Sequence, residues 1–297
     1  MTDFSAELFR TFYPIFEMVT NLAANRLMKY IVLRVCVALV FLVVSIQTAC
    51  AQIIRFGVKA GPQLSWVAVD DPKYKSVATV RPTAGFHAGA VVAFKVKDRY
   101  FLNTEYIYSQ KGKIARGKID PNLKDRAVYH HIDIPVLFSM HFKGNLTKSR
   151  QFKWYIAAGP NTSYWLGGKG VIESGDLIEN GFSNLKYKMA FGTRPDHNRP
   201  DLLYIKDAKR LQFGMSVGAG LLLEPARNQK VMIDFRYEIG HTRLGTPQSS
   251  QFLVPADYQD SLKGRNKGIR LSLVYLFEFS SDRKERNKGK STIDSQK

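Results

Sequence analysis

Large apolar side chains recur at every second position in several separate stretches of the chain. The clearest stretch is VYHHIDIPVLFSMHF, residues 128–142, where the alternation runs from Ile132 to Phe142. The intervening positions, which include His131 and Asp133, are mixed in polarity. Strict alternation over this length predicts a β-strand with two chemically different faces. Its apolar face would meet a second sheet in a soluble sandwich, or lipid in a transmembrane barrel.

Eight stretches share this pattern, and the connections between them alternate in length. The stretches are residues 54–67, 83–96, 100–110, 128–142, 152–166, 211–224, 231–240 and 268–279. The short connections are 97–99, 143–151 and 225–229, and the long ones are 68–82, 111–127, 167–207 and 243–266. Short turns at one end and long loops at the other are typical of outer-membrane barrels, not of sandwiches. We therefore predict an all-β fold, an eight-stranded antiparallel transmembrane up-and-down β-barrel, over residues 52–279.

The amino-terminal part of the chain carries an apolar run with a basic start. Residues 28–51, MKYIVLRVCVALVFLVVSIQTACA, end in a small-x-small triplet, which predicts a secretory signal peptide cleaved after Ala51. Two alternatives remain open, an uncleaved transmembrane anchor and a lipoprotein acylated at Cys50. Residues 1–27 fit no export signal, so we expect an untranslated or non-structural extension and a true start at Met28.

The net charge and the cysteine content of the chain limit the partners and the disulfide chemistry that we expect. The 297 residues carry a formal net charge of +19, most of which remains after the signal peptide is removed. Export excludes nucleic acid as the expected partner of this charge, and favours outer-membrane lipid and lipopolysaccharide. Both cysteines, Cys36 and Cys50, leave with the signal peptide, so no disulfide framework is expected. Residues 280–297 are polar and lack aromatic side chains, which predicts a disordered basic tail in the periplasm.

Aromatic side chains cluster near the ends of the predicted strands. Such positions indicate two belts, one at each interface between lipid and water. The predicted belt members are Trp66, Tyr108, Trp154, Tyr164, Trp165 and Phe277.

Seven strand segments occur in a fixed order across residues 54–279. They are FGVKAGPQLSW, GFHAGAVVAF, NTEYIYSQKG, YHHIDIPVLF, YIAAGPNTSYWL, IDFRYEIGHTRL and KGIRLSLVYLFEF. In this order they resemble the PorT-type outer-membrane β-barrel family. The resemblance implies an eight-stranded barrel and, from the founding members, a role as an accessory of the type IX secretion apparatus. The long 167–207 connection and the basic tail depart from the family pattern.

The inward face of the predicted barrel carries charges of both signs. An eight-stranded barrel is too narrow for an open pore, because side chains fill its interior, and buried charges must then neutralise one another. The predicted inward polar network consists of Arg55, Lys59, His87, Glu105, His131, Asp133, Asp234, Arg236, Glu238, Arg270 and Glu278. The first interpretation is an internal salt-bridge network, and the alternative is a proton- or ligand-linked site around His131, Asp133 and Glu105. Pro135 forfeits a ladder hydrogen bond, so we expect a β-bulge there.

Two long connections carry candidate binding residues. Facing outward, KGKIARGKIDPNLKDR (111–126) would bind the phosphates and carboxylates of lipopolysaccharide, although a plain solvated loop is equally compatible. The candidate contacts are Lys111, Lys113, Arg116, Lys118, Lys124 and Arg126. The 167–207 connection is longer than a connection needs to be, which predicts a segment that binds a partner.

Catalysis and metal binding have little support in the sequence. Strand height brings His130 and His241 near Ser109 and Ser163, yet no spacing identifies a nucleophile and its base. The adjacent histidines at 130–131 point to opposite faces and cannot chelate one metal ion together.

The expected function is therefore that of a non-enzymatic barrel without cofactor or metal. We expect it in the outer membrane of a diderm bacterium, with both mature termini in the periplasm. It would act through its loops and tail as an accessory of type IX-like protein secretion, in contact with secretion-apparatus proteins. The alternative is a structural or surface-interaction barrel that stabilises the envelope. A lipid-modifying enzyme is the remote alternative.

Overall fold

Eight long β-strands form the body of the molecule in the computed structural model. They are β1 (Ile53–Val69), β3 (Thr83–Lys97), β4 (Tyr100–Gly117), β5 (Lys124–Thr147), β6 (Arg150–Glu173), β9 (Leu211–Ala226), β10 (Gln229–Arg243) and β12 (Gly264–Ser280). Neighbours in the order β1–β3–β4–β5–β6–β9–β10–β12 pair antiparallel, and the pairing of β12 with β1 closes the ring. The prediction of an eight-stranded antiparallel barrel is confirmed.

Six ranges of the chain are described by the structure. They are residues 53–147, 150–192, 202–226, 228–246, 250–251 and 260–280. The chain divides into two units, Met1–Ala51 and Gln52–Lys297, and the described ranges all belong to the second. The predicted signal peptide, its cleavage site and all of the predicted tail beyond Ser280 lie outside the described residues.

Side chains alternate strictly between the two faces of the ring. In β5, Phe138 is 50% exposed on the outer face, whereas Asp133 and Ser139 are fully buried on the inner face. The other strands repeat the pattern, with large apolar residues such as Phe56 and Leu273 on the outer face. An apolar face that runs around a closed ring fits a lipid environment.

A smaller unit, which we call the cap, covers the end of the ring that carries the long connections. Its elements, besides the outer extensions of β4, β5 and β6, are α1 (Pro72–Val77), β2 (Ala78–Arg81), α2 (Gly175–Glu179), β7 (Leu185–Phe191), β8 (Leu202–Ile205) and β11 (Ser250–Gln251). Asp71 and Ser174 cap the two helices by accepting hydrogen bonds from the Lys73 and Leu177 N–H groups. The cap has a hydrophobic core that includes Tyr74, Leu123, Ile172, Leu177, Tyr187, Leu203, Ile205 and Leu262.

Two connections that the sequence predicts as loops are largely regular structure. β4 continues to Gly117 and β5 begins at Lys124, so the predicted loop at 111–127 is wrong except for residues 118–123. The predicted loop at 167–207 likewise contains the end of β6, together with α2, β7 and β8. The β-ladder continues through these extensions. The alternation of apolar and polar residues weakens in them because they lie beyond the apolar outer band.

Pro135 lies within β5 without the expected β-bulge. Pairing with β4 is interrupted beside it, but the register is the same on both sides, at Thr104↔Val136 and Ile107↔Asp133. A register shift occurs instead against β6, between His130 and His131. An interrupted ladder therefore accommodates the missing proline N–H.

Aromatic side chains border the apolar outer band at both ends. Five of the six predicted belt residues lie on this outer face: Trp66, Tyr108 and Tyr164 towards the cap, and Trp154 and Phe277 towards the short turns. The prediction for Trp165 is wrong, because its side chain is fully buried against Tyr129 with ring centroids 5.1 Å apart. Adjacent strand residues point to opposite faces, so Tyr164 and Trp165 cannot share a belt.

Candidate functional site

The part of the lumen nearer the cap contains four charged side chains arranged around Asp133. The Lys111 ammonium lies 2.9 Å from the Asp133 carboxylate, which also pairs with the Arg270 guanidinium. Glu238 lies 2.7 Å from Arg270 and 3.6 Å from Lys111. Two cations thus meet two carboxylates, and we call Lys111, Asp133, Glu238 and Arg270 the outer lumen group.

A second set, the inner lumen group, consists of Lys59, Glu105, Asp234 and Arg236. The Arg236 guanidinium donates two hydrogen bonds to Glu105, at 2.8 and 3.0 Å, and lies 2.9 Å from Asp234. Lys59 lies between the same two carboxylates, 2.5 Å from Asp234 and 3.4 Å from Glu105. The Tyr155 hydroxyl donates to Asp234 at 2.6 Å.

Each lumen group is electrically neutral, which offsets much of the cost of burying its charges. All eight side chains are buried, and the cavity left beside the inner lumen group is about 20 Å³, roughly the space of one water molecule. At this level the interior of the barrel is packed with side chains.

Two further predicted lumen residues, His87 and His131, lie fully buried inside the ring. The His87 Nε2 atom lies 2.8 Å from the Ser272 hydroxyl. The His131 ring stacks on Trp165, with centroids 6.1 Å apart, and neither of its nitrogens has a hydrogen-bond partner among the described residues. Glu105 makes its ion pairs in the inner lumen group, so it does not join His131 and Asp133 in one site.

The remaining predicted lumen residues, Arg55 and Glu278, lie near the short-turn end of the ring. Their side chains are 2.7 Å apart across the pair of strands β1 and β12. The Arg55 guanidinium also lies over the Phe101 ring, 4.2 Å from its centroid. This pair links the first and the last strand of the ring.

Three polar residues that are absent from the predicted inward network surround the outer lumen group. The Ser109 and Ser163 hydroxyls donate to Asp133 at 2.6 and 2.5 Å. The Gln63 amide oxygen accepts from Arg270 at 3.0 Å. Their inward positions on the predicted strands were a usable signal, since neutral polar side chains satisfy the remaining hydrogen bonds of buried charges.

The structure separates the residues that the sequence offered as catalytic candidates: His130, His241, Ser109 and Ser163. Ser109 and Ser163 are held inside the barrel, whereas His130 faces outward and lies 2.6 Å from the Tyr108 hydroxyl. His241 is exposed on β10. Within the described ranges, no group of three or more His, Cys, Asp or Glu side chains is suited to hold a metal ion. In those ranges, too, every helix is too short or too polar to span a membrane.

The cap contains its own buried polar cluster, beyond the apolar outer band. The Lys113 ammonium pairs with Asp260, and the Asp125 carboxylate accepts a hydrogen bond from the Tyr187 hydroxyl at 2.8 Å. Burial raises the pKa of Asp125 to about 7. The Asp260 charge contributes to this increase, and Lys113 opposes it.

Two of the six predicted lipopolysaccharide contacts do not face outward. Lys111 and Lys113 are 6% and 0% exposed, so the predicted exposure is wrong for both. Because β4 continues through them, its alternation turns them into the interior. Arg116, Lys124 and Arg126 are exposed, as is Lys118, whose ammonium donates to the Lys75 carbonyl at 2.7 Å.

Exposed cations form a band on the outer face of the cap strands. Arg116 lies directly opposite Lys124, and Lys169 directly opposite Lys188. Among the described residues, only Lys124 of this band has a carboxylate partner, Glu173 at 3.5 Å. We call the band the basic rim; it consists of Arg81, Arg116, Lys124, Arg126, Lys169, Lys186 and Lys188. The sequence did not reveal the members on β2, β6 and β7, because strand pairing brings them beside the others.

Solved structures similar to the chain have low sequence identity to it. OprG from Pseudomonas aeruginosa is 12% identical, with 77% of this chain and 95% of that chain covered and a TM-score of 0.42. Neisserial surface protein A is 12% identical, with coverage of 75% and 97% and a TM-score of 0.32. The attachment invasion locus protein Ail of Yersinia pestis is 13% identical, with coverage of 76% and 98% and a TM-score of 0.29.

A match to a family model assigns the chain to a protein family. No curated protein sequence matches the chain significantly. The model described as an outer membrane protein beta-barrel domain matches residues 50–244, which is most of the chain. This match covers the broad domain and does not single out the PorT-type group. The chain belongs to the family of outer-membrane proteins with this β-barrel domain.

Proposed function

We propose that the protein is a non-conducting barrel that acts at the cell surface, where its basic rim binds the phosphate groups of lipopolysaccharide. In this proposal the cap faces the exterior, and the short turns and both mature termini face the periplasm. Short turns are typically periplasmic in barrels of this kind. The protein then supports the envelope through contacts with lipid and the cell surface.

One observation carries the proposal: two pairs of like charges face each other directly across neighbouring strands. Arg116 opposes Lys124, and Lys169 opposes Lys188. Like charges in such positions repel and destabilise a sheet. A bound anion between them removes that penalty, and a phosphate accepts hydrogen bonds from several cations at once.

The position of the rim supports the same ligand. The rim lies on the outer face, beyond the aromatic residues Tyr108 and Tyr164 that border the apolar band. Lipid headgroups occupy this height, and anionic headgroups attract clustered lysines and arginines. The aromatic border and the rim therefore fit the interface and the phosphate layer above it.

The test uses a rim variant that combines Arg116→Gln, Lys169→Gln and Lys188→Gln. Its control combines Lys73→Gln, Lys206→Gln and Lys209→Gln, which removes the same charge from exposed positions near the cap. Thermal unfolding is measured in nonionic detergent, with and without lipopolysaccharide. We expect the rim variant to be at least as stable as the parent without lipopolysaccharide, and to gain much less stability from it.

A parallel titration with dephosphorylated lipopolysaccharide identifies the interacting group. The proposal requires that removal of the phosphates abolishes most of the stabilisation of the parent protein. Equal stabilisation of the rim variant, the control and the parent by intact lipopolysaccharide contradicts it.

The second candidate is an accessory role in protein secretion. It rests on the resemblance of the strand motifs to the PorT-type family and on a cavity at the short-turn end of the ring, which six cations and three carboxylates line. In this arrangement the cavity would be accessible to a periplasmic partner. A strain that lacks the gene is compared with its parent by supernatant proteomics. Loss of proteins with type IX sorting domains from the medium, together with their accumulation in the periplasm, supports this role. If the two strains release the same proteins into the medium, the accessory role is contradicted and only the surface role remains.

A further inference from the structure

The short-turn end of the ring opens into a cavity of about 980 Å³, which we call the mouth. Side chains from strands all around the ring line it. Its cations are Arg55, Lys95, Arg99, Lys143, Lys153 and Lys230, and its carboxylates are Asp98, Glu224 and Glu278. Cations outnumber carboxylates by two to one.

Two of the carboxylates are already engaged by three of the cations. Glu278 lies 2.7 Å from Arg55, while Glu224 lies 2.6 Å from Lys153 and 3.0 Å from Lys230. These pairs hold the lining in place and leave little negative charge to offset the remaining cations.

The other three cations, Lys95, Arg99 and Lys143, have no carboxylate within ion-pair distance in the described part of the chain. The Arg99 guanidinium lies over the rings of Tyr100 and Phe142, 5.6 and 5.7 Å from their centroids. Ring contacts orient this charge but do not cancel it. Uncompensated cations around one concave surface focus a positive potential and attract anions.

The base of the mouth is closed. Phe101 and Leu222 lie there, 4% and 2% exposed, and the Arg55 guanidinium covers the Phe101 ring. Beneath them the next cavity has only about 20 Å³, so a ligand stops at this base and does not pass through the barrel. The apolar side chains that line the mouth without being buried are Ile53, Phe142 and Pro225. A small inorganic anion would leave them without a contact, whereas a chain with both acidic and apolar side chains would cover both parts of the lining.

We propose that the mouth binds a peptide segment that carries acidic and apolar side chains. The carboxylates would pair with Lys95, Arg99 and Lys143. An apolar side chain would contact Ile53, Phe142 or Pro225. The proposal depends neither on the basic rim nor on a role in secretion.

The test measures fluorescence anisotropy of a fluorescein-labelled hexapeptide of alternating glutamate and leucine. The full chain is held in nonionic detergent, and a peptide with glutamine in place of glutamate is compared. The mouth variant combines Lys95→Gln, Arg99→Gln and Lys143→Gln. The control variant combines Lys73→Gln, Lys206→Gln and Lys209→Gln. We expect saturable binding of the acidic peptide, weakened at least ~5-fold in the mouth variant and unchanged in the control.

Four results overturn the proposal: no saturable binding, equal binding of the glutamine peptide, equal weakening by both triple variants, or displacement of the acidic peptide by a lower concentration of inositol hexaphosphate. The last result would identify a phosphate ligand instead. If the triple variant does not fold, Lys95→Gln and Lys143→Gln are tested singly against Lys206→Gln. Loss of lipopolysaccharide binding in the rim variant has no bearing on this result.

Discussion

The Lys111 ammonium lies 2.9 Å from the Asp133 carboxylate, and both side chains are buried in the lumen. The two residues lie on the paired strands β4 and β5. Arg270, from the far end of the chain, completes the contact by pairing with the same carboxylate. The register of the ring and the charge balance of its interior thus depend on one another.

Replacement of Asp133 should destabilise the barrel severely. Asp133→Asn leaves Lys111 and Arg270 with Glu238 as their only carboxylate in the group, so one buried positive charge is uncompensated. Breaking a buried ion pair in this way costs about 3–5 kcal/mol. The free energy of unfolding, measured by urea titration in lipid vesicles, should fall by that amount.

A compensating variant distinguishes charge balance from a general packing defect. Combining Asp133→Asn with Lys111→Met leaves Arg270 paired with Glu238 and restores neutrality, so this double variant should be more stable than Asp133→Asn alone. Ile134→Val, on the outer face of the same strand, serves as the control and should change stability little. A double variant that is as unstable as the single one would refute the explanation.

Gly220 provides the space that Tyr155 occupies. A Cβ atom at position 220 would lie against the Ile233 carbonyl oxygen of the neighbouring strand β10 and 2.6 Å from the Tyr155 ring on the other neighbour, β6. Gly220→Ala should displace the tyrosine, weaken its hydrogen bond to Asp234 and lower the free energy of unfolding by about 1–3 kcal/mol. Gly214→Ala, on the same strand, is the control, because a Cβ atom there would meet a backbone carbonyl, that of Ile239 at 2.5 Å, but no aromatic ring. Equal effects of the two substitutions would show that Tyr155 is not the cause.

The cap should lose stability as the pH rises towards neutrality. Burial raises the pKa of Asp125 to about 7 from its ordinary 3.8, so the folded protein retains a proton that the unfolded chain releases. This contribution is fully present below pH 3.8 and is lost as the pH rises to about 7. Asp125→Asn keeps an acceptor for the Tyr187 hydroxyl and should flatten the dependence.

Thermal unfolding of the parent and of Asp125→Asn across pH 4–8 measures this effect. The difference between their profiles isolates one carboxyl group from all the others. Parallel profiles would show that Asp125 does not bind a proton preferentially in the folded state.

The packed lumen predicts that the protein does not conduct ions. An eight-stranded ring has an interior that side chains fill, and two neutral lumen groups occupy it here. Purified protein reconstituted in planar bilayers should show no steady conductance steps above background. Regular steps of uniform size would contradict a closed interior.

The sequence alone determined which strands form the ring and that the eleven predicted lumen residues face inward. Contact with lipid on one face and burial on the other forces an alternation with period two, and eight such stretches occur in order. The eleven predicted lumen positions, from Arg55 to Glu278, follow from this parity. Their ion-pair partners cannot be predicted in the same way. The alternation shows which face of a strand a residue lies on, but not which residue of the neighbouring strand lies beside it.

Only the tertiary structure decided the ion pairs, the cap and the basic rim. Arg270 reaches Asp133 across 137 positions of sequence because the ring closes, and no local pattern records that closure. Beyond the apolar band both faces of a strand are polar or covered by the cap, so the alternation that identifies a strand disappears. For this reason Lys111 and Lys113 resembled residues of a loop, whereas the β-ladder turns them inward. Lys169 and Lys188 likewise become neighbours only when their strands pair.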